Sequence, residues 1–121
     1  MKSRTNHHID RVANQIQHTL ATAIAGRLKD PRVGFVTVTS VILTPDLSRA
    51  IVRVSVMGSE EEKTSAVEGL RSARGFLRSL LARALQLRTT PELQFEIDRG
   101  LDHAARISQL LTDLDRERGD T

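Results

Sequence analysis

The sequence predicts an α+β domain in which a three-stranded sheet is covered by helices. Two observations carry this. Apolar residues recur at helical spacing in the N-terminal quarter and again through the second half of the chain, and three short stretches between them alternate with a period of two. A third sets the scale: 121 residues, 39% of them hydrophobic, make one domain with one modest core.

Taken in order, Ile9, Val12, Ala13, Ile16, Leu20, Ile24 and Leu28 recur on one face and predict a helix over His8–Leu28. Asp30-Pro31 stops it, because proline drives the preceding residue out of the α region. Phe35–Leu43 is dense in β-branched residues and alternates, which predicts a strand, with Phe35 in the core. The Thr44–Ser48 segment supplies proline and aspartate for a hairpin turn into a second strand, Ala50–Met57. There Ala50, Val52, Val54 and Val56 share one face and Arg53 and Ser55 the other. Ser59 followed three residues later by Glu62 forms a capping box, and three acids in the first turn suit the helix dipole. The stripe then runs through Val67, Leu70, Leu77, Leu81 and Leu87, with a break expected at Ala73-Arg74-Gly75. Leu93–Asp98 alternates as a third strand, with Phe95 inward. After Gly100, Ile107, Leu110, Leu111 and Leu114 predict a C-terminal helix. The domain is expected to fill 1–114, with 115–121 a short, charged, frayed tail.

Composition removes several function classes. The chain has no cysteine, which excludes disulfides, thiolate metal sites and cysteine nucleophiles. The four histidines, His7, His8, His18 and His103, do not form a metal-ligand pattern, so no metal or cofactor is expected. No Walker loop, G-x-G-x-x-G or G-x-S-x-G occurs, and the chain reads as a non-enzyme. No signal region follows the N-terminus and no apolar run is long enough to span a bilayer, so a cytoplasmic protein without a membrane partner is expected.

Charge gives the functional signal. The net charge is only +3, but the signs are segregated. Between residues 71 and 88 stand five arginines (Arg71, Arg74, Arg78, Arg83 and Arg88) and no acid. Lys2, Arg4, Arg11, Lys29 and Arg32 give a second basic line, whereas acids collect at 60–62 and in the tail. A solvated helix face normally mixes signs for i,i+4 support, and an unmixed run points instead to a polyanion. Guanidinium groups bind phosphates bidentately, and Gly75 would leave backbone amides approachable at the next helix start. With three Phe, no Trp and no Tyr, a base-stacking platform on the sheet is not expected.

The segments Asp30-Pro31-Arg32-Val33-Gly34-Phe35-Val36-Thr37-Val38-Thr39, Pro45-Asp46-Leu47-Ser48-Arg49-Ala50, Gly75-Phe76-Leu77-Arg78, Arg88-Thr89-Thr90-Pro91-Glu92-Leu93-Gln94-Phe95 and Arg106-Ile107-Ser108-Gln109-Leu110-Leu111 resemble, in this order, the signatures of the ribosome-binding factor A family. The resemblance covers nearly the whole chain, from Arg4 to Leu114. It implies a KH-like domain of the αββααβ (type II) arrangement. In this family an Ala-x-Gly interhelical kink replaces the G-x-x-G loop; here that is Ala73-Arg74-Gly75, and no G-x-x-G occurs. It further implies a monomer that binds 16S ribosomal RNA in the free small ribosomal subunit late in assembly, promotes maturation of its 5′ end, supports growth in the cold and is linked to an assembly GTPase. One departure is Arg53, where family members often carry an aromatic residue. The alternatives are a general nucleic-acid-binding KH module and a protein-interaction adaptor.

Overall fold

The computed structural model describes residues 4–100, with side chains from residue 8 onward. Helix α1 spans Arg4–Gly26, a one-turn 3-10 helix Pro31–Val33, strand β1 Val36–Leu43, β2 Arg49–Val56, helix α2 Glu60–Ser72, α3 Arg74–Leu85 and strand β3 Glu92–Ile97. The expected C-terminal helix and the tail lie outside the described residues.

The apolar stripe on α1 is buried as the spacing requires: Val12, Ala13, Ile16, Leu20, Ala23 and Ile24 all face the core. The helix stops at Gly26, earlier than expected, because Asp30 caps the 3-10 helix that follows, accepting a hydrogen bond from the Arg32 amide.

The strands lie in the order β1-β2-β3, with β1 antiparallel to β2 and β2 parallel to β3. A two-helix crossover between β2 and β3 gives the chain length to return in the same direction, which a tight hairpin cannot do. One face carries Val38, Leu43, Ala50, Val52, Val54, Leu93 and Phe95 into the core, against Ile16 and Leu20 of α1, Val67 and Leu70 of α2, and Leu77 and Leu81 of α3. Thr37, Arg53, Gln94 and Ile42 stand on the opposite, open face.

Two expectations are corrected. Strand β1 does not alternate throughout: Val38 pairs with Val54 but Ser40 with Arg53, so a bulge at Thr39 resets the parity. The bulge lets Val38 and Val41, three apart, both oppose inward residues of β2. Gln17 of α1 donates to the Thr39 carbonyl at 3.3 Å, and the Thr39 hydroxyl donates to Asp98 at 2.7 Å. That hydroxyl, first among the contacts, holds the Asp98 carboxyl below its ordinary pKa. Phe35 is not in the core. It precedes β1 and is 77% exposed, whereas Phe95 is 2% exposed at the centre of β3.

The break between α2 and α3 falls where the sequence places it. Ala73 ends one helix and caps the next, its amide shared between the carbonyls of Gly69 and Leu70 at 3.1 Å each. Ser59 and Glu62 form the expected capping box. The order αββααβ with this mixed sheet is the KH-like, type II arrangement.

Candidate nucleic-acid interface

The two helices after β2 position most of the basic groups. Arg71 lies in the last turn of α2 and Arg74 opens α3, so both stand at the interhelical break, exposed. Gly75 follows in the first turn of α3, and a β-carbon built there meets nothing within 4 Å. The packing of the chain therefore places no demand for glycine at this point; what the residue leaves is an open backbone surface next to Arg74. Arg88 is exposed in the loop after α3.

Arg78 has a different role. It lies one turn beyond Arg74 on the same flank of α3. Its Nε donates to the Pro91 carbonyl at 3.1 Å and one Nη to the Thr90 carbonyl at 2.8 Å, with the other Nη 3.3 Å from the Glu92 carboxylate. This half-buried guanidinium fastens the loop that feeds β3. Arg32 is likewise engaged: its Nε and Nη2 reach the Asp30 carboxylate at 3.0 and 2.6 Å. The side-chain hydrogen bond from Arg32, more than any other contact, lowers the pKa of Asp30, and the same bond raises that of Arg32.

Arg83 faces elsewhere again. Five residues past Arg78, it is turned by about 140° around the helix. There it lines an open groove of about 740 Å³ between α1 and α3, together with Arg27, the residue just past the end of α1. The floor is apolar (Ala23, Leu80 and Ala84), and His18, Thr19 and Thr22 edge it with polar groups. Phe76, two turns before Arg83 on the same face of α3, is 42% exposed. The sheet carries no exposed aromatic among the described residues, but α3 does.

The five arginines thus do not form a single row. Arg74 stands at the break, Arg71 lines a groove between α2 and β3 with Thr64, Val67 and Glu96, Arg83 joins Arg27 in the α1–α3 groove, Arg88 stands in the following loop and Arg78 turns inward. Among the described residues, Arg71, Arg74, Arg83 and Arg88 have no ion-pair partner. Of the second basic line, Arg11 and Lys29 are exposed, Lys2 lies outside the described residues, and the side chain of Arg4 does too. Arg27 is the groove residue that the charge pattern alone did not single out. Its signal is the i, i+4, i+8 series Thr19, Ala23, Arg27, which continues from the edge of the buried stripe at Ala23.

Acids occupy the far end of α2. Glu60, Glu61 and Glu62 lie roughly 14–17 Å along the axis from Arg71, at 1.5 Å per residue. No group of three metal-ligating side chains occurs among the described residues, and no described helix is long and apolar enough to cross a membrane. What the surface offers is exposed, permanently charged donors at the break and groove, of the kind that pair with phosphates.

A family model described as Ribosome-binding factor A matches residues 8–111. A Ribosome-binding factor A from Thermomicrobium roseum is 45% identical over 108 residues, covering 89% of this chain and 84% of that protein. The crystal structure of ribosome-binding factor A from Thermus thermophilus is similar with a TM-score of 0.69 at 33% identity, over 76% of this chain and 97% of that one. A homology model of the Thermus thermophilus factor, fitted into the cryo-EM map of a 30S complex with it, is similar with a TM-score of 0.63 at 33% identity, over 74% of this chain and 94% of that one.

Proposed function

Because the chain belongs to the ribosome-binding factor A family, we propose that it binds the free small ribosomal subunit and acts there by gripping 16S ribosomal RNA, not by catalysis. The observation that carries this reading is the set of exposed guanidinium groups at the α2–α3 break and in the α1–α3 groove, none of them neutralised by an acid among the described residues. Arg74 supplies a cation beside the open backbone at Gly75, Arg71 another in the groove between α2 and β3, Arg88 a third in the loop beyond α3, and Arg83 with Arg27 two more across the α1–α3 groove. Arg11 and Lys29 extend the contact. Arg78 and Arg32 contribute by holding the scaffold. The KH-like unit is the RNA-binding domain.

The mechanism is holding. Binding energy that differs between two RNA conformations shifts the population toward one of them. The conformation favoured is the one from which the 5′ end of 16S RNA is matured, and an assembly GTPase acts in the same sequence of events. The protein works as a monomer in the cytoplasm.

Co-sedimentation of the purified chain with free small subunits, full ribosomes and an excess of unrelated RNA tests the reading. The expected result is retention on free small subunits that unrelated RNA does not compete away. Arg74→Glu combined with Arg83→Glu should abolish retention while the far-ultraviolet circular dichroism stays unchanged. Equal distribution over all RNA species would leave only a general nucleic-acid-binding module.

A further inference from the structure

We propose that the notch beside the start of β1 and the end of β2 docks a basic polypeptide segment anchored by one apolar side chain. The notch holds two large apolar residues that the fold does not use. Phe35 and Met57 are each 77% exposed. They face each other where the β1–β2 ladder runs out, the Met57 amide donating to the Phe35 carbonyl at 3.4 Å. Single exposed apolar residues are ordinary on a protein surface, but two opposed across strand ends in one concavity form an anchor site. The concavity has a volume of about 480 Å³, and Gly34 lines it beside Phe35.

Charge identifies the occupant. Glu61 and Glu62 of α2 form one wall, and the cation in the lining, Arg32, is already paired with Asp30. Glu60, outside the lining, is held by Arg99 at 2.8 Å, which leaves Glu61 and Glu62 as the two carboxylates that set the sign of the notch. The notch is therefore acidic, on a chain whose net charge is +3. A sugar–phosphate strand is repelled here, whereas lysine and arginine side chains are attracted and an apolar side chain between them fills the space against Phe35 and Met57. The site lies at the acidic end of α2, away from the arginines at the break, so RNA and a basic segment can be held at once.

The test uses the full chain and a short labelled peptide rich in lysine and arginine with one central leucine, read by fluorescence anisotropy. A second peptide has serine for the leucine, and an oligouridylate of similar length serves as the RNA probe. Glu61→Lys and Met57→Ser are both exposed substitutions, so the fold is retained, which thermal unfolding checks. The leucine peptide should bind the unchanged protein and lose roughly tenfold in affinity to either variant and on serine replacement. Met57→Ser should leave oligouridylate binding unaltered. The proposal is overturned if the leucine peptide does not bind, if it binds the variants as well as the parent, or if Met57→Ser weakens the RNA and not the peptide. Loss of oligouridylate binding by all proteins would instead count against the RNA reading above and leave this one standing.

Discussion

At Gly69 a β-carbon would lie 2.7 Å from Val33 Cγ2 and 3.3 Å from Arg32 Cβ. The 3-10 helix packs so closely on α2 that only hydrogen fits between them. Val33 is buried and β-branched, so it has little rotamer freedom with which to yield. Gly69→Ala gains up to about 1 kcal/mol in helix propensity, but overpacking costs about 1–3 kcal/mol. The expected outcome is net destabilisation, seen as a lower urea midpoint with an unchanged slope. The hairpin turn gives a second residue-scale prediction. Asp46 accepts hydrogen bonds from the Ser48 hydroxyl at 2.7 Å, the Thr44 hydroxyl at 2.8 Å and the Ser48 amide at 3.1 Å. These bonds, led by the Ser48 hydroxyl, lower its pKa from the ordinary 3.8 to about 2. A depressed carboxylate stabilises the fold fully above its unfolded pKa and ceases to as pH falls through the folded value. The turn's contribution should therefore disappear between about pH 4 and pH 2. An Asp46→Asn protein should show a smaller stability loss across that window, measured by urea unfolding at fixed pH values. The aspartate was legible in the sequence as a turn residue; the three converging donors were not, because they depend on how the turn closes.

At the scale of elements, the sequence locates the α2–α3 break correctly because a glycine interrupts a continuous apolar stripe there. It cannot separate Arg78 from Arg74, which share a helix flank. The difference lies in the Thr90 and Pro91 carbonyls, twelve and thirteen residues downstream, brought near by a loop that no local pattern describes. The bulge in β1 does leave a trace, since Val38 and Val41 are both apolar with an odd spacing, but Thr37 and Thr39 make simple alternation look complete. Phe35 resembles a core residue for a related reason: its neighbours alternate, yet regular pairing begins one residue later and its side chain stays outside. These distinctions predict opposite behaviour for two neighbours. Gly75→Ala meets no contact and should hold or raise stability by up to about 1 kcal/mol, while reducing subunit affinity if RNA approaches the backbone there. Arg78→Ala should lower stability by about 1–3 kcal/mol, as expected when one side of a part-buried, charged hydrogen-bond set is removed. Paired unfolding and co-sedimentation measurements on the two variants separate a contact surface from a scaffold.

Across the whole molecule, the αββααβ order is readable from periodicity, but the strand order is not. Nothing local in Glu92–Ile97 says that it lies parallel to β2; the length of the α2–α3 crossover does. This topology also decides which cations meet. It lays α3 beside α1, so Arg83 and Arg27, 56 positions apart in sequence, line one groove, whereas Arg78, only five residues before Arg83, faces another element. Charge density along the chain is thus an imperfect guide to charge density on the surface. The salt dependence of binding measures the difference. Removing one phosphate contact should flatten the slope of log affinity against log salt by roughly 0.7 on single-stranded RNA and 0.9 on duplex. Arg27→Ala and Arg83→Ala should each remove about one such contact. If a single phosphate bridges both guanidinium groups, the double variant flattens the slope by less than the sum of the two. Additive effects would mean separate phosphates, and an unchanged slope for both variants would remove the groove from the RNA interface altogether.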